Sequence, residues 1–89
     1  MNEIILTQRL KDDYKDLPVA VQKKLKKQIG FLAENLRHPS LQVHRIRGTI
    51  FWEFYIDRLY RCVFRQQGST LYLLAAGPHK VVDEFARKR

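Results

Sequence analysis

The chain has 89 residues, 45% of them hydrophobic, and a formal net charge of +8 at pH 7. This length and composition predict one domain, residues 1–89, and exclude a disordered chain. No apolar run is long enough for a signal peptide or a membrane span, and the single cysteine, Cys62, excludes an internal disulfide. We therefore expect a soluble cytoplasmic protein.

The first half of the chain predicts one strand and two helices. Residues 3–7 are typical of a short strand, and Thr7 is placed to cap the helix that follows. Pro18 suits the first turn of a second helix, which ends at His38 and Pro39. Apolar side chains at helical spacing predict the buried side of this helical hairpin: Leu17, Val21, Leu25, Ile29, Leu32 and Leu36.

The second half predicts four strands, at residues 43–47, 50–56, 59–65 and 70–76. Short connections between them predict an antiparallel meander. Residues 80–88 predict a short C-terminal helix. The expected fold is therefore α+β in the order β-α-α-β-β-β-β, with the helical hairpin on one face of a mainly antiparallel, twisted sheet of four to five strands.

Side-chain alternation predicts which strand residues the helices cover. The expected buried set is Ile50, Trp52, Phe54 and Ile56 on one strand, and Tyr60, Cys62 and Phe64 on the next. The opposite face would then expose Glu53, Tyr55, Arg61 and Arg65. A carboxylate, a phenol and two guanidiniums on an open face indicate a site, although a surface ion pair between Glu53 and an arginine is an equally simple interpretation.

The distribution of charge favours a polyanionic partner. Between residues 35 and 82 the only acids are Glu53 and Asp57, and the cations are mainly arginines. Arginine binds phosphate in a bidentate geometry. The net charge predicts a nucleic acid, an acidic protein or an anionic membrane as partner, and the second half of the chain is predicted to bind it.

Three segments resemble the RelE/ParE toxins of type II toxin–antitoxin systems: GTIFWEFYI at residues 48–56, LYRCVF at 59–64 and LYLLAAG at 71–77. The element order resembles that family over nearly the whole chain. The resemblance implies one of two activities. RelE-like members cut messenger RNA, mostly at the ribosome, whereas ParE-like members poison DNA gyrase. It also implies an acidic antitoxin protein as partner.

The resemblance implies roles for individual residues. Arg61 matches the arginine that contacts the scissile phosphate in nuclease members. His79 falls where those members carry a general acid or a charge stabiliser, and Glu53 matches the acid of the same central strand pair. Trp52 and Phe54 stand near positions where the RelE branch has lysines, which is a departure from the pattern.

RNA cleavage needs neither a metal nor a cofactor, because the 2′-hydroxyl of the RNA attacks the adjacent phosphate. We expect Arg61 to bind that phosphate, His79 to act as general acid and Glu53 as base. The spacing of His38, His44 and His79 gives no metal site. RNA-binding residues are expected to be Arg45, Arg47, Tyr55, Arg58, Arg65 and Lys80, with Tyr55 stacking a base.

Three hypotheses follow. The first is a nuclease toxin whose partners are messenger RNA, the ribosome and an antitoxin. The second is a gyrase inhibitor without catalytic residues, which would have no need of the pair Arg61 and His79. The third is an RNA-binding domain without enzymatic activity, which would usually show more exposed aromatic side chains on its sheet.

Overall fold

Residues 1–87 are described by the computed structural model of the chain. Its elements in chain order are β1 (Glu3–Leu6), α1 (Gln8–Asp16), α2 (Val19–Glu34), a 3-10 turn (Pro39–Leu41), β2 (His44–Arg45), β3 (Trp52–Tyr55), β4 (Tyr60–Gln67), β5 (Thr70–Pro78) and α3 (Val81–Ala86). The α+β class and the predicted element order are confirmed. The predicted C-terminal helix ran on to Lys88, which lies outside the described residues. No helix in the described part is long and apolar enough to cross a membrane.

The five strands form one sheet in the order β1-β5-β4-β3-β2. β1 runs parallel to β5, and every other neighbouring pair is antiparallel, so the prediction of a mainly antiparallel sheet is confirmed. Gly68 has a φ of +61° and closes the tight turn between β4 and β5, a backbone conformation that favours glycine. In this order β4 lies between β5 and β3, so it is paired along both edges.

The larger core lies between the two long helices and one face of the sheet. Phe54 of β3 and Phe64 of β4 are fully or almost fully buried there, with ring centroids 6.0 Å apart. Cys62, which pairs with Phe54, is buried on the same face, and burial raises the pKa of its thiol well above the usual range. Ile56 is also buried. These residues occupy the face that alternation predicted for them.

The predicted strands at residues 43–47 and 50–56 are both shorter in the structure. Strand β2 has only two residues, because the chain turns immediately after it: Gly48 has a φ of +78°, and the Thr49 hydroxyl donates to the carbonyl oxygen of Ile46 at 2.7 Å. Ile50 was expected in the core and is 53% exposed. It precedes β3, which begins at Trp52, so the alternation of the strand does not extend to it.

Strand β5 continues further than predicted. Pro78 still pairs with Tyr60, so the strand runs two residues past Ala76. The pairing of β4 with β5 also shifts by one position between Val63 and Phe64. An extra residue in one strand bends it and increases its local twist.

The short helix α3 covers part of the sheet face that was expected to be open. Val81, Val82 and Phe85 pack there against Val63, with the ring of Phe85 edge-on to Phe51 at a centroid distance of 5.1 Å. The apolar residues of α3 and the inner residues of β4 exclude water from each other. This second, smaller core places a dry floor beside the candidate site.

Gln28 is a polar side chain inside the first core, with only 1% of its surface exposed. Its amide nitrogen donates to the carbonyl oxygens of Ser40 at 3.0 Å and Tyr55 at 2.8 Å. Its amide oxygen accepts from the Ser40 hydroxyl at 3.2 Å. Gln28 therefore ties α2 to the end of β3, where Tyr55 enters the candidate site.

We expect Gln28→Leu to destabilise the fold by roughly 2–4 kcal/mol, because it keeps the volume but leaves buried carbonyl groups without their donor. Urea denaturation followed by circular dichroism measures the change. Lys24→Leu on the exposed side of the same helix is the control and should stay within about 0.5 kcal/mol of the parent protein. Equal stability of the two variants would contradict this account.

Candidate active site and anion-binding surface

Polar side chains from three adjacent strands meet on the sheet face opposite the helical hairpin. The register pairs His44 of β2 with Glu53 of β3, and Tyr55 of β3 with Arg61 of β4. Residues that pair directly present their side chains on the same face of a sheet. Arg61 also pairs with Gly77 of β5, which has no side chain to cover the guanidinium.

Glu53 is buried, not exposed as alternation alone predicted. Only 5% of Glu53 is exposed. Its cross-strand neighbour Val63 packs against α3, and His44 and Arg61 flank its carboxylate. One oxygen, Oε2, lies 3.2 Å from Nε2 of His44, and the other, Oε1, lies 3.8 Å from Nε of Arg61. The interpretation as a simple surface ion pair is therefore wrong. A buried carboxylate needs such cationic neighbours to offset its desolvation.

The guanidinium of Arg61 is held in place by the turn between β3 and β4. Its Nη1 donates to the carbonyl oxygens of Asp57 at 2.7 Å and Tyr60 at 3.0 Å. The turn itself is ordered by Asp57, whose carboxylate accepts the N–H groups of Leu59 and Tyr60. Within residues 1–87 no hydrogen bond engages Nη2 of Arg61. The side chain is thus fixed in direction and keeps donors for an anion.

Tyr55 contributes a second restraint on Arg61. The Cζ atom of the guanidinium lies 4.7 Å from the centroid of the phenol ring, which is a cation–π distance. The side chain of Arg61 is 17% exposed. One face of the Tyr55 ring is consequently occupied by Arg61.

His79 follows β5 at the edge of this site. Its backbone N–H donates to the carbonyl oxygen of Leu59 at 2.9 Å, which extends the ladder between β4 and β5 by one residue. His79 stands two residues after Gly77, which pairs with Arg61, in the turn that follows β5. The imidazole of His79 is exposed to solvent.

The predicted arginines fall on two surfaces. Arg45 pairs with Trp52, so its side chain lies on the helix-covered face, with Cζ 5.4 Å from the indole centroid and Nε donating to the Thr49 carbonyl oxygen at 2.8 Å. Arg65 lies four residues beyond Arg61 along β4, about 13 Å away. Arg45, Trp52 and Arg65 border one depression at the far end of the sheet. The structure therefore does not bring Arg45 and Arg65 together with Arg61.

The remaining predicted cations are all exposed. Arg47 lies in the turn after β2, Arg58 in the turn between β3 and β4, and Lys80 immediately before α3. Arg58 and Lys80 follow the two strand ends nearest Arg61. Their contribution to RNA binding stays a prediction.

The sequence-based prediction missed His44, which approaches Glu53 more closely than any arginine does. Its ring is 63% exposed, and its Nδ1 lies 3.0 Å from the carbonyl oxygen of Gln42. The available signal was the alternation of side chains along β2 and β3. Alternation alone does not place His44 opposite Glu53, because the register of the two strands depends on the turn at residues 46–49. No group of three potential metal-ligating side chains occurs among the described residues.

Known structures resemble this chain over nearly its full length. A free RelE toxin mutant from E. coli superposes with a TM-score of 0.73 at 19% sequence identity, covering 99% of this chain and 96% of that one. The RelB–RelE antitoxin–toxin complex from Methanococcus jannaschii gives 0.75 at 17%, with 91% and 96% covered. A copper-bound mutant toxin from Helicobacter pylori gives 0.70 at 23%, with 91% and 98% covered. The fold is that of the RelE/ParE toxins.

The RelE/ParE fold is also that of a YoeB/ParE toxin from Agrobacterium tumefaciens and of YafQ from E. coli. No protein-family model and no curated protein sequence matches the chain. The expected RelE/ParE architecture is therefore confirmed by three-dimensional likeness, at sequence identities of 16–23% among these structures.

We expect Tyr55→Leu to loosen Arg61, because the substitution removes a cation–π contact worth roughly 0.5–1 kcal/mol. Proton NMR should show the side-chain resonances of Arg61 losing the ring-current shift of the phenol. Tyr55→Phe keeps the ring and should leave those resonances near their original positions. Similar shifts in both variants would contradict the stacking.

Proposed function

We propose that the protein is the toxin of a type II toxin–antitoxin module and that it cleaves messenger RNA on the ribosome without a metal. The observation that carries the proposal is Arg61, a guanidinium fixed by backbone carbonyls and an aromatic ring, whose Nη2 has no hydrogen-bond acceptor among residues 1–87. A preorganised cation of this kind stabilises charge that develops on a phosphate. The RelE/ParE fold and the net charge of +8 support the same reaction class.

In the proposed reaction the 2′-hydroxyl oxygen of the RNA forms a bond to the adjacent phosphorus while the bond from phosphorus to the 5′-oxygen breaks. Arg61 stabilises the crowded phosphorane, and His79 protonates the departing 5′-oxygen. Glu53 is covered by His44 and Arg61, so in this reaction its charge stabilises these side chains and it does not act as the base. The 2′-hydroxyl proton passes to water. The products are a 2′,3′-cyclic phosphate and a free 5′-hydroxyl.

The surrounding cations support binding of the RNA strand on either side of the cleaved bond. Arg58, in the turn before β4, and Lys80, in the turn after β5, are exposed, and Arg47 lies beyond β2. Arg45 and Arg65, at the far end of the sheet, would hold more distant phosphates. Tyr55 already carries Arg61 on its ring, which favours a restraining role over the stacking of a base.

We further propose that an acidic antitoxin protein binds this basic surface in the cytoplasm. The support is the solved RelB–RelE complexes that share the fold, together with the scarcity of acids in the second half of the chain.

We expect Arg61→Ala to lower cleavage of a ribosome-bound messenger by about 10²–10³-fold, the usual effect of removing one preorganised donor. His79→Ala should lower it by about 10²–10⁴-fold, because a general acid is lost. Primer extension on the messenger measures the cuts. Arg37→Ala is the matched control, since this arginine is exposed on the other side of the molecule and should cut as the parent does.

The outcomes separate the three hypotheses. Cuts that persist unchanged in both variants would contradict the assigned residues. RNA binding without cuts, on the ribosome or free, would favour a non-enzymatic RNA-binding domain. Neither binding nor cuts, together with loss of DNA supercoiling activity in a gyrase assay, would establish the ParE-like alternative.

We expect expression of the protein alone to arrest bacterial growth, and co-expression with the small acidic protein of an adjacent reading frame to restore it, because the antitoxin covers the basic surface. Growth curves and colony counts measure both effects. Expression of Arg61→Ala is the control for nonspecific toxicity. Normal growth with well-folded parent protein would contradict both toxin hypotheses.

A further inference from the structure

Helix α1 is attached at two points to β5, the strand that ends at the candidate site. At the start of the helix, the Thr7 hydroxyl donates to the carbonyl oxygen of Leu73 at 2.7 Å. Near its end, Oδ2 of Asp13 accepts the backbone N–H of Ala76 at 3.0 Å. β1 ends at Leu6, which pairs with Leu73, so Asp13 binds β5 beyond the last partner that β1 supplies. α1 is therefore a fixed base beside the end of β5.

Arg9 joins this base to α3. Its Nη1 donates to Oε2 of Glu84 at 2.8 Å, and its Nη2 donates to Oε1 at 3.2 Å, so the guanidinium binds that carboxylate with two nitrogens. Its Nε donates to both carboxylate oxygens of Asp13, at 3.1 and 3.0 Å. A bidentate contact of this kind fixes direction as well as distance. The hydrogen bond to Glu84 raises the pKa of Arg9 above its usual range.

Helix α3 depends on its contacts with the rest of the molecule for its position. It has only six residues, too few to be stable as an isolated helix. Its apolar side chains pack on the sheet, but such packing is not directional. Arg9 and Glu84 are 46% and 44% exposed, and an isolated pair at such positions would contribute little. Here one guanidinium is shared by two carboxylates, which links α3 through Arg9 and Asp13 to β5.

The backbone of His79 is tied directly to α3. Its carbonyl oxygen accepts the N–H of Val82 at 3.1 Å. Val81, the first residue of α3, lies against Gly77, with its Cβ 3.7 Å from the position that a Cβ on Gly77 would take. Gly77 is the residue that pairs with Arg61. A displacement of α3 therefore moves His79 and alters the packing opposite Arg61.

We propose that Arg9 is a positioning residue, which anchors α3 to α1 through Glu84 and thereby holds His79 in place for the cleavage of RNA. The inference rests on the proposed function, in which His79 protonates the departing 5′-oxygen. It gives α1, which supplies no side chain to the reaction, a defined effect on the rate.

The first test needs no RNA. In Arg9→Gln the backbone N–H groups of Val82 and Asp83, which donate at the start of α3, should exchange with deuterium roughly fivefold faster, the effect of losing an ion pair at the strong end of the surface range. Glu84→Gln removes the same contact from the side of α3 and should accelerate the same two groups. Lys11→Gln removes an exposed cation from the same helix and is the control, which should exchange as the parent does. Unchanged exchange in Arg9→Gln overturns the inference whatever the cleavage assays show.

The second test is single-turnover cleavage of a ribosome-bound messenger. Arg9→Gln and Glu84→Gln should each cut roughly three- to tenfold more slowly, which is less than the about 10²-fold that a displacement of about 1 Å can cost. Affinity for a 2′-O-methyl RNA oligonucleotide, which cannot be cleaved, should stay at the parent value, because Arg61 and its turn are unchanged. A Kd that rises in Arg9→Gln but not in Glu84→Gln would mean that Arg9 itself binds phosphate, which contradicts the positioning role.

The double variant Arg9→Gln with Glu84→Gln decides whether the arginine acts through Glu84. If it does, the double variant cuts no more slowly than Arg9→Gln alone, whereas slowing that multiplies the two single effects overturns the proposal. Urea denaturation of each variant distinguishes loosening of α3 from loss of the whole fold. Faster exchange of α3 in a protein that never cuts RNA would retain Arg9 as the anchor of α3 and reject the proposed function.

Discussion

The pairing of β4 along both of its edges is the constraint on which the rest of the molecule depends. Alternation along this strand sends Cys62 and Phe64 into the core beneath the helices and Arg61 and Val63 to the opposite face. A slip of one residue would exchange the two sets, burying a guanidinium in the apolar core. The same hydrogen-bond register therefore determines both the stability of the fold and the position of the candidate site.

The site owes its electrostatic character to the second, smaller core. α3 covers Val63, the cross-strand neighbour of Glu53, and Glu53 is itself only 5% exposed, so its charge acts on the nearby Arg61 with less screening than in water. The turn between β3 and β4 restrains the same arginine through its carbonyl oxygens. A buried carboxylate and a rigid turn both lie against the guanidinium of Arg61, and in the proposed function they would set how much of its positive charge acts on a bound phosphate.

The basic residues of the second half are divided between this site and the far end of the sheet. Arg45 and Arg65 border the depression beside Trp52, whereas Arg58 and Lys80 follow the strand ends near Arg61. In the proposed function, such a division would let a nucleic acid gain affinity from phosphates remote from the reacting bond, while few side chains hold the geometry at that bond.

The sequence by itself determined the element order, the helical hairpin and the residues that face the larger core. Local turn chemistry and side-chain periodicity carry that information, as with Thr7, which caps α1 by accepting the N–H of Leu10. The resemblance of the segment LYRCVF to the RelE/ParE toxins also selected Arg61. Only the tertiary structure decided that Glu53 is buried, that His44 is its partner and that Arg45 points away, since these depend on the register of a two-residue strand and on where α3 packs. The register of β2 and the packing position of α3 leave no periodic pattern in the sequence, because both are fixed by contacts between residues far apart in the chain.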